Sequence, residues 1–199
     1  MFRCLPPRRF HEGFTLVEVL VAIVVLSFGV LGLVGLQALS LQSTREARLQ
    51  SSAVRLAEEM AELMRINKMV AIKTTAAENP YLIDNFTGTV PATSANCFTA
   101  ACTSGADLAR WDVANWLDRI RTELPGARVV ICADSVPYDS GGLPRWACDG
   151  NAGMLAIKIG WTRGTTQRGS TDGKGQAVLD KATDANARPG VVFSLVPGL

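Results

Sequence analysis

From residue 14 to residue 36 the chain is almost unbrokenly apolar, interrupted by Thr15, Glu18, Ser27 and the glycines at 29, 32 and 35. At about 1.5 Å per helical residue such a run is long enough to cross a bilayer. The carboxylate near its start is the anomaly. An acid at the bilayer centre costs about 2.5 to 3.5 kcal/mol, less toward a helix end, so its placement asks for a partner or a task. Residues 37–67 hold neither Pro nor Gly and are rich in helix formers, which predicts one helix over 14–67, roughly 80 Å long. Leu49, Ala53, Leu56, Met60 and Leu63 recur at alternating four and three and make an apolar seam, with Arg55, Glu58, Glu59, Glu62 and Arg65 mostly elsewhere. The seam needs a covering surface, either the protein's own sheet, which we favour, or a second helix in a coiled coil. Gly29, Gly32 and Gly35 would permit close helix approach.

Past a loop over 74–105, rich in Thr, Ala and Asn, Asp107 is the expected N-cap of a second helix. Its Val113, Trp116, Leu117, Ile120 and Leu124 share one face, and Pro125-Gly126 ends it. Strands are expected at 128–133, at 155–162 and at 191–196. In the middle one Leu155, Ile157, Ile159 and Trp161 alternate with Ala156, Lys158, Gly160 and Thr162. Polar and Gly-rich loops fill 134–153 and 164–189. The fold class is therefore α+β: a long N-terminal helix, membrane-spanning in its first half, packed on a small antiparallel sheet of three strands.

The thirteen residues ahead of the apolar run carry Arg3, Arg8, Arg9 and Glu12. A secretory signal has an apolar core of about 7 to 15 residues followed by a small-residue cleavage site. Here the run is longer and the small residue, Gly13, precedes it, which puts any cut on the cytoplasmic side; an uncleaved anchor is the alternative. Basic residues stay inside, so everything after residue 36 is sent outward. Removing the leader's three Arg and one Glu from the 20 basic and 18 acidic residues leaves 17 of each. A neutral product has no polybasic footprint, and no nucleic acid partner is expected. With 199 residues, 48% of them hydrophobic, there is room for one membrane segment and one modest head, not for two enzymes.

Cys4 lies in the leader, leaving Cys97, Cys102, Cys132 and Cys148 in a part expected to face an oxidising compartment. Two disulfides are expected. Three connectivities are open, and the local one, Cys97 with Cys102 and Cys132 with Cys148, closes short loops worth about 2 and about 3 kcal/mol. A four-Cys zinc site competes but lacks the usual close-spaced pairs. The only histidine, His11, is also in the leader, which removes a catalytic His base and most catalytic-zinc schemes from the mature chain. No catalytic residue, metal site or cofactor is expected. Asp172-Gly173-Lys174-Gly175, with Asp180, Asp184 and Asn186, offers oxygen donors at a spacing that fits no calcium loop. Residues 169–175 lack the ending of a phosphate loop, Asn85-Phe86-Thr87 matches the glycosylation triplet at ordinary chance, and the tryptophans read as core.

Gly13-Phe14-Thr15-Leu16-Val17-Glu18 resembles the class III signal of type IV pilins and their relatives: basic leader, Gly at the cut, Phe as first mature residue and Glu at the fifth mature position. Residues 19–37 are most similar to the PilV-type minor pilins, the type IV pilus modification proteins. The resemblance implies a leader over 1–13, removed after Gly13 by a prepilin peptidase that N-methylates Phe14. It implies a transmembrane and assembly half of the helix over 14–36, a periplasmic half over 37–72, and a globular head over 73–199, together the lollipop plan of pilins. Glu18 becomes the subunit-assembly acid, one helical turn from the new amine and near the positive end of the helix dipole. The implied partners are the prepilin peptidase, other minor pilins and the major pilin through the N-terminal helix, and the inner membrane, with the head in the periplasm until incorporation into a surface pilus. Many major pilins have a Pro near Gly35 and a disulfide loop close to the C-terminus. This chain has no such Pro and no Cys after Cys148, which favours a minor pilin over a bulk subunit. A minor pseudopilin of type II secretion shares the layout, and a membrane-anchored periplasmic enzyme is a third reading.

Overall fold

The computed structural model describes residues 13–93, 96–151, 153–164 and 179–198. Residues 169–175 lie outside them. A single helix, α1, runs Leu16–Ile66. It starts two residues later than the pattern predicts because Thr15 caps it: the Glu18 N–H donates to Thr15 Oγ1 at 3.3 Å, satisfying one of the donors a helix start leaves orphaned. The chain parts into two compact units, residues 1–45 and residues 46–199.

In the first unit every described side chain is exposed. Its hydroxyls turn inward on the helix itself, Ser27 donating to the Ile23 carbonyl at 2.7 Å and Thr44 to the Ser40 carbonyl at 2.8 Å. Internal bonds of this kind suit an apolar surrounding, where an unpaired polar group costs several kcal/mol.

The second unit starts inside α1, so the helical residues from Glu46 onward belong to its core. It continues through α2 (Lys68–Ala71), β1 (Ile83–Phe86), α3 (Gly105–Glu123), β2 (Arg128–Ala133), β3 (Leu155–Gly160), β4 (Arg163–Gly164), β5 (Leu179–Asp180) and β6 (Val191–Leu195). β1, β2, β3 and β6 form one antiparallel sheet in that order, and β4 and β5 pair as a short ribbon. Among the described residues the sheet thus has four strands rather than three. The additional one, Ile-Asp-Asn-Phe, carries an irregularity in its pairing to β2 and no two-residue alternation for the sequence to reveal.

The seam of α1 is covered from within the chain. Ala53, Leu56, Ala57, Met60, Ala61 and Met64 are buried in one cluster with Val113, Trp116, Leu117 and Ile120 of α3 and with Val129, Ile131, Ile157 and Ile159 of the sheet. Leu49 and Leu63 are only partly buried against it. The stripe is wider than an a/d seam because two layers grip it. Trp116 Nε1 donates to the Leu56 carbonyl at 2.8 Å, Arg119 pairs with Glu59, and Trp161 Nε1 reaches Glu46 Oε1 at 3.3 Å.

α3 begins at Gly105, not after Asp107. Ser104 is the N-cap: its hydroxyl oxygen accepts from the Asp107 N–H at 3.1 Å, and Asp107 sits at the third helical position. Ser-x-x-Asp has the spacing of a capping box, and Asp107 Oδ2 accepts in return from the Ser104 hydroxyl at 2.8 Å. At the other end Gly126, at φ +59°, turns the chain into β2. A Cβ there would lie 2.2 Å from Thr162 Oγ1, so a larger residue would have to displace the Thr162 side chain, two residues past β3.

β3 is buried on both faces. Leu155, Ile157 and Ile159 face the helices. The opposite row is covered by the segment after β2, whose Trp146 lies where a Cβ on Gly160 would come within 2.9 Å and whose ring carries the Arg128 guanidinium at 4.3 Å.

Candidate functional site

The residues that the sequence singles out fall in two places, the start of the chain and the head's polar scaffold. Gly13, Phe14 and Thr15 precede α1 in non-helical backbone and are exposed, and among the described residues nothing lies within 4 Å of where a Gly13 Cβ would stand. Glu18 follows in the first turn of α1. Because the helix begins at Leu16, Glu18 is its third residue, where the macrodipole favours a negative charge. Leu16, Val17, Leu20 and the large apolar residues as far as Leu41 are exposed, with no covering among the described residues. The helix is long and apolar enough to cross a membrane.

In the head, Cys97 is joined to Cys102 and Cys132 to Cys148, with Cα–Cα distances of 5.1 Å and 6.4 Å. The second bridge ties the end of β2 to the segment over the sheet. Beneath that segment Lys158 pairs with Asp134, both fully buried, and Lys158 Nζ also donates to the carbonyls of Ala147 (2.7 Å) and Trp146 (3.3 Å). Cys132, Asp134 and Cys148 stand close enough to suggest metal ligands. Their sulfurs are spent on each other and the carboxylate on Lys158, which leaves no donor set for an ion.

Surface turns are held the same way. Hydrogen bonds from Ser135, its hydroxyl first, and from the Asn151 N–H hold the Asp149 carboxyl below the usual carboxylate range. Asp139 is held down by the Leu143 N–H first, then by Arg188. Where α1, α2 and α3 meet, Asn67 Nδ2 donates to the Gly105 carbonyl (2.7 Å) and to the Tyr81 hydroxyl (3.3 Å), which in turn faces Asp112 at 3.3 Å. Burial pushes the Tyr81 phenol up to about 12 and the Asp112 carboxyl upward.

Asp180, Asp184 and Asn186 line one cleft of about 490 Å³ with Trp161, Arg163 and Arg188. Asp184 is occupied as a turn former, accepting from the Lys181 N–H at 3.0 Å, and Arg188 is paired with Asp139. Asp172, the acid that would join them, lies outside the described residues. Sequence reasoning missed the Lys158–Asp134 pair and the Tyr81 cluster. The available signal for the first was a lysine in the middle of an apolar strand and an acid directly after the strand beside it.

Two family models match the sequence. The prokaryotic N-terminal methylation motif covers residues 8–34, and the type IV pilin Tt1218 family covers residues 35–114. The second match takes up where the first ends and extends through most of α1 into the first half of α3. No curated protein and no solved structure matches the chain.

Proposed function

The chain is a type IV pilin-like protein, and from that premise we propose that it is a minor pilin of the PilV type, which helps initiate or modify a type IV pilus and performs no catalysis of its own. The observation that carries the reading is the order of parts at the start: a basic leader, an accessible Gly13–Phe14 junction, a helix capped by Thr15, and one carboxylate, Glu18, in an otherwise apolar first turn. Prepilin peptidase cuts after Gly13 and methylates the Phe14 amine. The apolar half of α1 holds the protein in the inner membrane with its head in the periplasm, where Cys97–Cys102 and Cys132–Cys148 are kept oxidised.

On assembly the same apolar surface moves from lipid to the helices of the major pilin and the other minor pilins. In that surrounding Glu18 is costly unless it meets a cation, and the Phe14 amine of a neighbour supplies one. Pairing thereby checks axial register. Mass spectrometry of the membrane-extracted protein tests the reading: a chain beginning at N-methylated Phe14 is expected. Retention of Met1 in cells with active prepilin peptidase would overturn it.

A further inference from the structure

Lys158 and Asp134 are paired with neither side chain exposed, and no step of the function above uses them. Lys158 sits in the middle of β3 opposite Val130, and its amine meets Asp134 one residue past the end of β2. The contacts differ from atom to atom. Lys158 Nζ lies 2.5 Å from Asp134 Oδ2 and donates its other two protons to the carbonyls of Ala147 at 2.7 Å and Trp146 at 3.3 Å. Asp134 Oδ1 instead accepts from the Val136 N–H at 3.1 Å. One carboxyl oxygen is therefore tied to the backbone, and the other faces the amine.

We propose that this pair condenses to an amide after folding, so that the head carries a covalent crosslink from Lys158 Nζ to Asp134 Cγ and one water is released. The proton between Nζ and Oδ2 first passes to the carboxylate, which leaves an amine and a carboxylic acid. Burial favours the uncharged forms. The freed electron pair of Nζ attacks Cγ; the Nζ–Cγ bond forms, the carbonyl electrons move onto Oδ1, and the Val136 N–H stabilises the charge that develops there. A second proton then leaves Nζ for the Oδ2 hydroxyl, the Cγ–Oδ2 bond breaks, and Oδ2 departs as water. Nothing is oxidised or reduced, and no further reactant is needed.

Placement and product both favour the step. Groups held in reacting geometry behave as though at effective concentrations of about 10⁵ to 10⁸ M. The product finds its hydrogen bonds already in place, the remaining N–H facing the Ala147 carbonyl and the amide oxygen keeping the Val136 N–H. Two buried ions become one satisfied neutral group. The Cys132–Cys148 bridge fastens the residue after Ala147 to β2 and so holds the carbonyl that orients the amine. Beside that bridge, the amide would tie β2 to β3 by a link that no thiol reductant opens.

The test is mass spectrometry of the full chain after reduction of its disulfides. Recombinant chain collected unfolded in urea is expected to show its whole sequence mass. Folded into detergent with both disulfides closed, it holds the ion pair at first and then becomes lighter by one water. Chain extracted from membranes, whichever first residue it carries, is expected to show the same loss. Trypsin should fail to cut after Lys158 and should yield a branched peptide that joins the fragments holding Asp134 and Lys158. Lys158→Met, folded or not, should show neither the loss nor the branch. Whole mass in the membrane-extracted chain, with ordinary cleavage after Lys158, overturns the proposal. So does a loss of water without the branch, as succinimide closure at Asp149-Gly150 would give, or an equal loss in Lys158→Met.

Discussion

Lys158 and Asp134 are paired with neither side chain exposed, beneath the segment that runs from β2 over the outer face of the sheet. Removing one partner strands the other charge out of water, which typically costs about 3 to 5 kcal/mol, whereas an apolar pair of similar volume is often neutral. Lys158→Met is therefore expected to destabilise the protein by that amount in urea unfolding of the detergent-solubilised chain. Combining it with Asp134→Leu should recover most of the loss. A single-variant loss below about 1 kcal/mol would show that the charge is reached by water.

The Cys132–Cys148 bridge spans 16 residues and fastens the far end of the same segment. Replacing both cysteines by Ser is expected to cost about 3 kcal/mol from the added freedom of the unfolded chain. Non-reducing peptide mapping of the mature protein should yield Cys97 with Cys102 and Cys132 with Cys148 and no free thiol. A crossed pair would contradict the arrangement.

Tyr81 titrates near 12 in the folded state against 10 when unperturbed, because burial disfavours the phenolate. A folded value above the unfolded one means that the unfolded chain ionises first as pH rises. Its contribution to stability is complete below pH 10 and lost between 10 and 12. Absorbance titration of a Tyr138→Phe variant should place the midpoint of the remaining tyrosine near 12, and Tyr81→Phe should flatten the alkaline fall in stability. A midpoint near 10 would show that Tyr81 is hydrated.

Much of the head was legible from local pattern. The face of α3 made by Val113, Trp116, Leu117 and Ile120 is buried as its spacing predicts, and β2 has the predicted bounds. What escaped depended on distant parts of the chain. Lys158 occupies the outward position of an alternating strand and reads as solvated, but residues 134–148 return over that face and bury it. Strand β1 owes its pairing to β2 rather than to any alternation of its own. The N-cap of α3 was misplaced because Ser104 and Asp107 are both good cap residues, and the hydroxyl at the first position took the role. The apolar stripe of α1 was set too narrow because the pattern alone does not tell that α3 and the sheet both close on it.

The most direct measurement compares the recovery of Glu18→Ala with that of the unaltered chain in sheared filaments and in the membrane fraction. Loss of an acid from the bilayer eases insertion, and Gly13 remains for the peptidase, so the variant should be found in the membrane, cleaved and at normal level. In filaments an apolar-embedded amine left without its counter-charge costs a few kcal/mol, and recovery is expected to fall about a hundredfold or more. Glu18→Gln, which keeps the shape and loses the charge, should fare nearly as badly. Recovery of Glu18→Ala in filaments at the level of the unaltered chain, with normal pilus number, would contradict the role given to this carboxylate.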